Sequence, residues 1–201
     1  MRRTAEDKDE TRRKIVDVAS HRLRELGVDG AGVARIMGDA GLTHGGFYAH
    51  FASKAELVRE AMQAAFTTNR KRWLDGLERL DDATWLRRVL RRYLNPTHRD
   101  TIGDGCPFAA LASDVAREGP EVRAVMEKEL LETVDRLAEH LRAAEGDRAR
   151  DRALALAALC GGGILMARAV ADPALSDQIL EACQELAMRA FECPRADRSE
   201  G

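Results

Sequence analysis

Aromatic and β-branched residues are scarce in this 201-residue chain: aromatics make up 4%, and 11 Val and 5 Ile stand against 33 Ala and 22 Leu. Strands favour β-branched and aromatic side chains, whereas helices favour Ala, Leu, Arg and Glu, so the composition argues against a sandwich or barrel and for an all-α fold. Net positive charge is lacking too. There are 32 Lys+Arg against 34 Asp+Glu, a formal −2, which argues against coating nucleic acid by bulk charge. No apolar run follows the charged start MRRTAEDKDETRRK, so no secretory signal is expected and the chain reads as cytoplasmic. Cys106, Cys160, Cys183 and Cys193 show no CxxC or metal-type spacing; reduced thiols are expected, and no metal or other cofactor. None of the five serines sits in GxSxG, and there is no phosphate-binding glycine loop, HExxH or DxD, so no enzyme signature is present. What is there, 33% charged and 45% apolar residues, fits a soluble globular protein. The stretch 153–171 approaches the length of a membrane span, but its Ala, Gly and Arg168 suit a buried interface helix rather than a membrane.

Apolar spacing and punctuation predict nine helices and no strands. The first covers about 9–26, with Ile15, Ala19, Leu23 and Leu26 on one face and Gly27 ending it. Short helices are expected at 33–40 and from Thr43, then a long one over 53–75 opened by a Ser53-x-x-Glu56 capping box. Helices at 82–94, 108–117, 120–145, 148–170 and 175–191 follow, punctuated by Pro96, Pro107, Pro120, Gly146 and Pro173. The polar stretch 95–105 reads as mobile and 194–201 as a frayed tail.

Residues 32–51 read GVARIMGDAGLTHGGFYAHF, two short helices about a tight turn. Gly41 can take the positive φ such a turn needs, Leu42 plugs the space between the helices, and Thr43 suits an N-cap. Phe47 and Phe51 are expected to pack with Ile36 and Leu57, leaving His44, Gly45, Tyr48, Ala49 and His50 on other faces. Two histidines, a tyrosine and glycines beside Lys54 suit a groove, because glycine admits close approach and polar tips reach phosphates and base edges. By shape alone, a helical hairpin inside a bundle also fits.

The run AGLTHGGFYAHFASKAELV, preceded by TRRKIVDVA, resembles the DNA-binding domain of TetR-family transcriptional regulators. The likeness spans about 8–68 and is most specific at Gly41, Leu42, Thr43, Gly46, Tyr48, His50, Phe51, Lys54 and Leu57. The segment 105–122, GCPFAALASDVAREGPEV, is similar to one branch of that family. The resemblance implies a helix-turn-helix domain at 8–68 (motif about 31–50) and a ligand-binding and dimerisation domain at 69–193. It implies that Thr43 caps the recognition helix and meets phosphate, that His44 and Gly45 lie nearest the base edges, and that Tyr48 and His50 hold the DNA backbone. Lys54 would meet a phosphate at a helix N-terminus; Gly46 belongs to the same set, and Arg35 is a further candidate reader. Two departures stand out: Ala31-Gly32 replaces a capping Ser or Thr, and Ala49 is small.

The same resemblance implies a homodimer through 148–170 and 175–191 that binds double-stranded operator DNA and releases it when a small apolar or amphipathic ligand binds. The small residues of ALALAALCGGGILMARAV and a stripe of Ile179, Cys183, Leu186 and Ala190 agree with helix-on-helix packing between copies. Candidate ligand contacts are Trp73, Trp85, Tyr93, Phe108, Met126, Cys160 and Met166. Cys106, before Pro107 at a helix start, is a candidate thiol sensor of oxidants or electrophiles, with a purely structural role as the alternative. A helical dimeric adaptor without DNA binding is a third class. Residues 1–60 carry 11 Lys+Arg and 10 Asp+Glu, so useful positive charge is local, at Arg12, Arg13, Lys14 and Lys54, and the salt dependence of DNA binding should be shallow.

Overall fold

The helix-forming composition is realised throughout the computed structural model, which describes residues 5–191; Cys193 and the tail expected over 194–201 lie outside the described residues. Among these there are nine α-helices and no strand. They are α1 (Ala5–Gly30), α2 (Val33–Asp39), α3 (Lys54–Leu74), α4 (Asp82–Tyr93), α5 (Pro96–Asp100), α6 (Pro107–Val115), α7 (Pro120–Glu145), α8 (Ala149–Ala169) and α9 (Pro173–Phe191). Short 3-10 turns lie at His44–Ala49, Ile102–Asp104 and Gly146–Arg148. The chain divides into two compact units. One joins the residues up to Asn69 with Thr101–Glu129, and the other joins Arg70–Asp100 with the chain from Leu130 onward.

The first unit has an apolar core in which Ile15, Ala19 and Leu23 of α1 meet Ile36, Phe47, Phe51, Leu57 and Leu111. Leu26, expected on the same face of α1, is 39% exposed. The cause is Gly27, whose φ of 74° breaks the helix before its last turn and brings Val28 into the core instead. Glycine is required there twice over: the left-handed backbone disfavours a side chain, and a Cβ would overlap the Asp114 carboxylate. That carboxylate accepts the Val28 amide at 2.9 Å, fastening α6 to the kink.

The expectation for the stretch 95–105, whose residues are shared between the two units, is corrected. Instead of a mobile loop, Asn95 Oδ1 accepts the His98 amide at 3.0 Å and Pro96 starts α5, a capped turn with proline where its missing N–H is harmless. The residues from Ile102 to Asp104 add a 3-10 turn in the first unit. His98 is buried against Trp73 and Tyr93, with ring centroids 4.4 and 4.6 Å away. Asp81 caps α4 by accepting the Thr84 amide at 3.0 Å, which holds its carboxyl below the usual range. Helices α8 and α9 pack closely because Gly163 leaves room for Cys183: a Cβ there would lie 2.9 Å from the Cys183 sulfur.

Candidate nucleic-acid interface

The turn ahead of the candidate recognition segment is built by two backbone bonds that end α2. The Leu42 amide donates to the Met37 carbonyl at 2.8 Å and the Gly41 amide to the Gly38 carbonyl at 2.9 Å. Gly41 has φ 71°, so this is a Schellman end with glycine in the left-handed position. Leu42 packs onto the core that holds Met37. Gly32 opens α2 in an extended conformation without a side-chain cap, as its lack of a hydroxyl dictates.

The recognition segment is a 3-10 helix over His44–Ala49, where the sequence pattern predicts an α-helix from Thr43. Consecutive glycines at 45 and 46 are poor α-helix formers, and the segment closes with the Gly46 amide on the Thr43 carbonyl at 3.0 Å. Thr43 is extended and makes no side-chain cap bond, which corrects its expected capping role and leaves the hydroxyl on an exposed residue. Three residues per turn aim Phe47 at the core, stacked on Phe51 at 5.6 Å, as the sequence predicts. Tyr48 stands edge-on to Phe47 at 5.2 Å and is 72% exposed. His44, Gly45 and Arg35 are exposed, while His50 and Lys54 are half-buried. Gly46 is half-buried as well; a Cβ would lie 3.7 Å from the Met37 methyl and 3.7 Å from the Thr43 hydroxyl.

The start of α3 follows the expected capping box with one shift. The Glu56 amide donates to Ser53 Oγ at 3.1 Å, but the Glu56 carboxylate reaches back to the Ala52 amide, at 2.6 Å, rather than to that of Ser53. That bond, followed by Arg12, holds the Glu56 carboxyl below the usual range. Arg12 does not offer free positive charge as the sequence suggests. Its Nη2 donates to Glu56 Oε1 at 2.7 Å, its Nε to Glu60 Oε2 at 3.1 Å, and its guanidinium lies 4.1 Å from the centre of the Phe51 ring. This cluster is invisible in the sequence, because its members lie far apart along the chain. Arg13 and Lys14 on the same helix remain exposed, with the Lys14 ammonium 3.8 Å from where a Gly41 Cβ would stand.

The seven candidate ligand contacts are divided between the two units. Phe108 and Met126 belong to the first unit, where Phe108 lies 4.5 Å from Phe66. In the second unit, buried Trp73 contacts half-buried Tyr93 at 5.3 Å, whereas Trp85 stacks on His140 at 3.8 Å. Cys160 is buried, but Met166 is 56% exposed, because Cys160, Ile164 and Ala167 take the inward face of α8. A cleft of about 450 Å³ in this unit is lined by charged groups, Asp135, Glu139, Arg142, Asp147 and Arg150 among them, and by none of the seven candidates. Cys106 is 1% exposed at the start of α6 with the Asn69 amide 4.0 Å from its sulfur. Burial shields this thiol from solvent in this conformation. Among the described residues no group of three or more His, Cys, Asp or Glu side chains could hold a metal ion.

An apolar face is left open on the last two helices. Leu154, Leu165 and Met166 of α8 and Leu175 and Leu186 of α9 are each at least 39% exposed. The stripe expected on α9 is partly misplaced: Cys183 turns inward to Gly163, Ile179 and Ala190 are half-buried, and the exposed line runs through Leu175, Ala182 and Leu186. The apolar window found within Pro120–Ala169 is long enough to cross a membrane by length and composition, yet only 33% of it is buried inside this chain.

Two sequence profiles match this chain. Residues 15–61 match bacterial regulatory proteins of the tetR family, and residues 83–186 match the C-terminal domain of LmrA/YxaF-like transcriptional regulators. A Pseudomonas putida protein named "Probable HTH-type transcriptional regulator ArpR" is 33% identical over 97 residues, 47% of this chain and 46% of that protein. The chain thus spans about half the length of the curated relatives it matches. A TetR-family regulator from Cytophaga hutchinsonii has the same fold at TM-score 0.79 and 18% identity, covering 96% of this chain and 100% of its own. AibR, solved with isovaleryl coenzyme A and operator DNA, superposes at TM-score 0.64 and 16% identity, covering 88% of this chain and 97% of its own.

Proposed function

Since the chain belongs to the TetR family of bacterial transcriptional regulators, we propose that it is a homodimeric repressor that binds a two-fold operator and leaves it when a small apolar or amphipathic ligand is bound. The observation that carries this reading is the exposure of Tyr48, His44 and Gly45 on a short helix whose opposite side, Phe47, is locked in a buried aromatic stack. A rigid base with polar tips outward is what reading a groove requires, since a loosely held side chain loses entropy on binding. In this reading His44 and Gly45 approach base edges, with Arg35 as a further reader. Thr43, Tyr48, His50 and Lys54 hold phosphates, and Gly46 lets the backbone come close. The open faces of α8 and α9 meet their copies in the partner subunit, which accounts for an apolar stretch that one chain leaves two-thirds uncovered. A ligand acts by binding one of two dimer arrangements better than the other, with Trp73 and Tyr93 of the second unit as its first contacts. Such a protein works where the DNA is, in the cytoplasm.

Titrating the DNA upstream of the protein's own gene by fluorescence anisotropy tests this reading. Tyr48→Ala should weaken operator binding about 10-fold, the worth of one hydrogen bond to a charged group. The variant should melt with the wild type, because the removed ring is mostly in solvent. Equal affinity of the wild type and a His44→Ala/Tyr48→Ala double variant would remove this segment from the interface.

A further inference from the structure

We propose that Arg12 is a positioning residue for DNA recognition, holding the recognition segment in place through Phe51, Glu56 and Glu60 without touching DNA itself. The inference rests on the reading of residues 43–54 as the DNA-contacting segment. It starts from the placement of one guanidinium at the junction of three pieces of chain. Arg12 comes from α1, Glu56 and Glu60 from the first turns of α3, and Phe51 from the end of the recognition segment.

Two of the three guanidinium nitrogens, Nε and Nη2, are engaged by carboxylates of α3. Nη2 donates to both Glu56 and Glu60, Nε also donates to Glu60, and the flat face covers the Phe51 ring. Two carboxylates share this cation, and Arg59 also acts on Glu56, so the cluster offers a phosphate no excess positive charge. The hydrogen bonds that Arg12 donates to Glu60 and Glu56 hold its proton more firmly than usual.

The cluster continues into the recognition segment by covalent neighbours and ring contacts. The second oxygen of Glu56 takes the Ala52 amide, fixing the backbone just after Phe51. Phe51 stacks on Phe47, and Phe47 meets Tyr48 edge-on. Arg12 therefore braces, from behind, the ring stack that carries Tyr48. Without it, Glu56 and Glu60 repel each other across one turn of α3 and the Phe51 ring loses its cover.

A brace, a phosphate contact and an ordinary stabilising ion pair give different results. Arg12→Gln and Arg12→Lys are compared with the wild type in the full-length protein, at a temperature where all are folded by circular dichroism. The probes are a specific upstream duplex, a scrambled duplex and a series of salt concentrations. A brace predicts about a 10-fold loss on the specific duplex for Arg12→Gln and a smaller loss for Arg12→Lys. The salt slope and the affinity for the scrambled duplex stay as in the wild type, and the Ala52 amide exchanges faster with deuterium in the free protein. A salt slope lower by about 1, or an equal loss on both duplexes, makes Arg12 a phosphate contact and overturns the proposal. Lowered melting temperature with unchanged specific affinity reduces it to an ion pair and overturns it too. Failure of the wild type to prefer any upstream duplex is a separate outcome, seen before any substitution, and sinks the DNA-binding reading itself; the Ala52 exchange rate still decides whether Arg12 is a brace.

Discussion

Leu186→Glu should turn the protein from a dimer into a monomer and lower operator affinity by about 100-fold or more. Leu186 is 56% exposed, and with Leu175 and Ala182 it forms the outward line of α9. On α8, Leu154, Leu165 and Met166 are exposed as well. A two-fold interface places the same residue on both subunits, so one substitution introduces two carboxylates into an apolar patch. Burying each without a partner costs several kcal/mol, more than a patch of this kind returns. Operator affinity follows because the second half-site is bound at an effective concentration set by the first, an advantage of about 100-fold to 10,000-fold that a monomer loses. Sedimentation at several protein concentrations reads the assembly, and anisotropy on the same samples reads the DNA. A variant that stays dimeric with wild-type affinity moves the interface elsewhere.

Stability should fall by about 2 kcal/mol between pH 7.5 and pH 5 through one residue, His98. Burial lowers its pKa from 6.5 to about 4, opposed by the Tyr93 carbonyl that bonds Nδ1 at 2.6 Å and assisted by the nearby charges of Arg168 and Arg72. The folded-state value is depressed, so above 6.5 neither state is protonated and the term is constant. As pH falls through 6.5 the unfolded chain takes up a proton that the folded chain refuses until about 4, and stability drops across that window. Over the whole window the loss is about 3 kcal/mol. Other groups titrate as well, so the difference between the wild type and His98→Gln, whose side chain does not titrate, isolates this one. The gap between the urea midpoints at the two pH values should be smaller for His98→Gln than for the wild type, by about 2 kcal/mol in stability. Equal pH dependence in the two proteins would show that His98 is charged, or equally protonated, in both states.

What was legible in the sequence was whatever rests on near neighbours. The capping box at Ser53 and Glu56, the left-handed turn at Gly41 and the inward pair Phe47 and Phe51 involve residues within five positions of each other. What was missed depends on distant chain. Leu26 is left outside because Gly27 kinks to meet Asp114, 87 residues on in the numbering. The stretch 95–105 is ordered by the burial of His98 on Trp73, which polarity cannot announce. Arg12 looks like one more exposed cation until α3 folds its two carboxylates over it. In the recognition segment the error was one of helix type: two glycines let the chain tighten into a 3-10 turn, which moves Gly46 toward the core and leaves Tyr48 outermost. The charge reading changes in the same direction. With Arg12 neutralised, Arg13, Lys14, Arg35 and Lys54 remain, which keeps the expected salt dependence shallow.

Hydroxyl-radical footprinting of the upstream DNA with the wild-type dimer tests the central claim most directly. Two recognition segments related by a two-fold axis should protect two symmetric windows on one face of the duplex, their centres about 34–36 Å or one helical turn apart. Protection in a single window, a continuous asymmetric tract, or none at concentrations where the protein is dimeric would contradict a paired helix-turn-helix reading two half-sites.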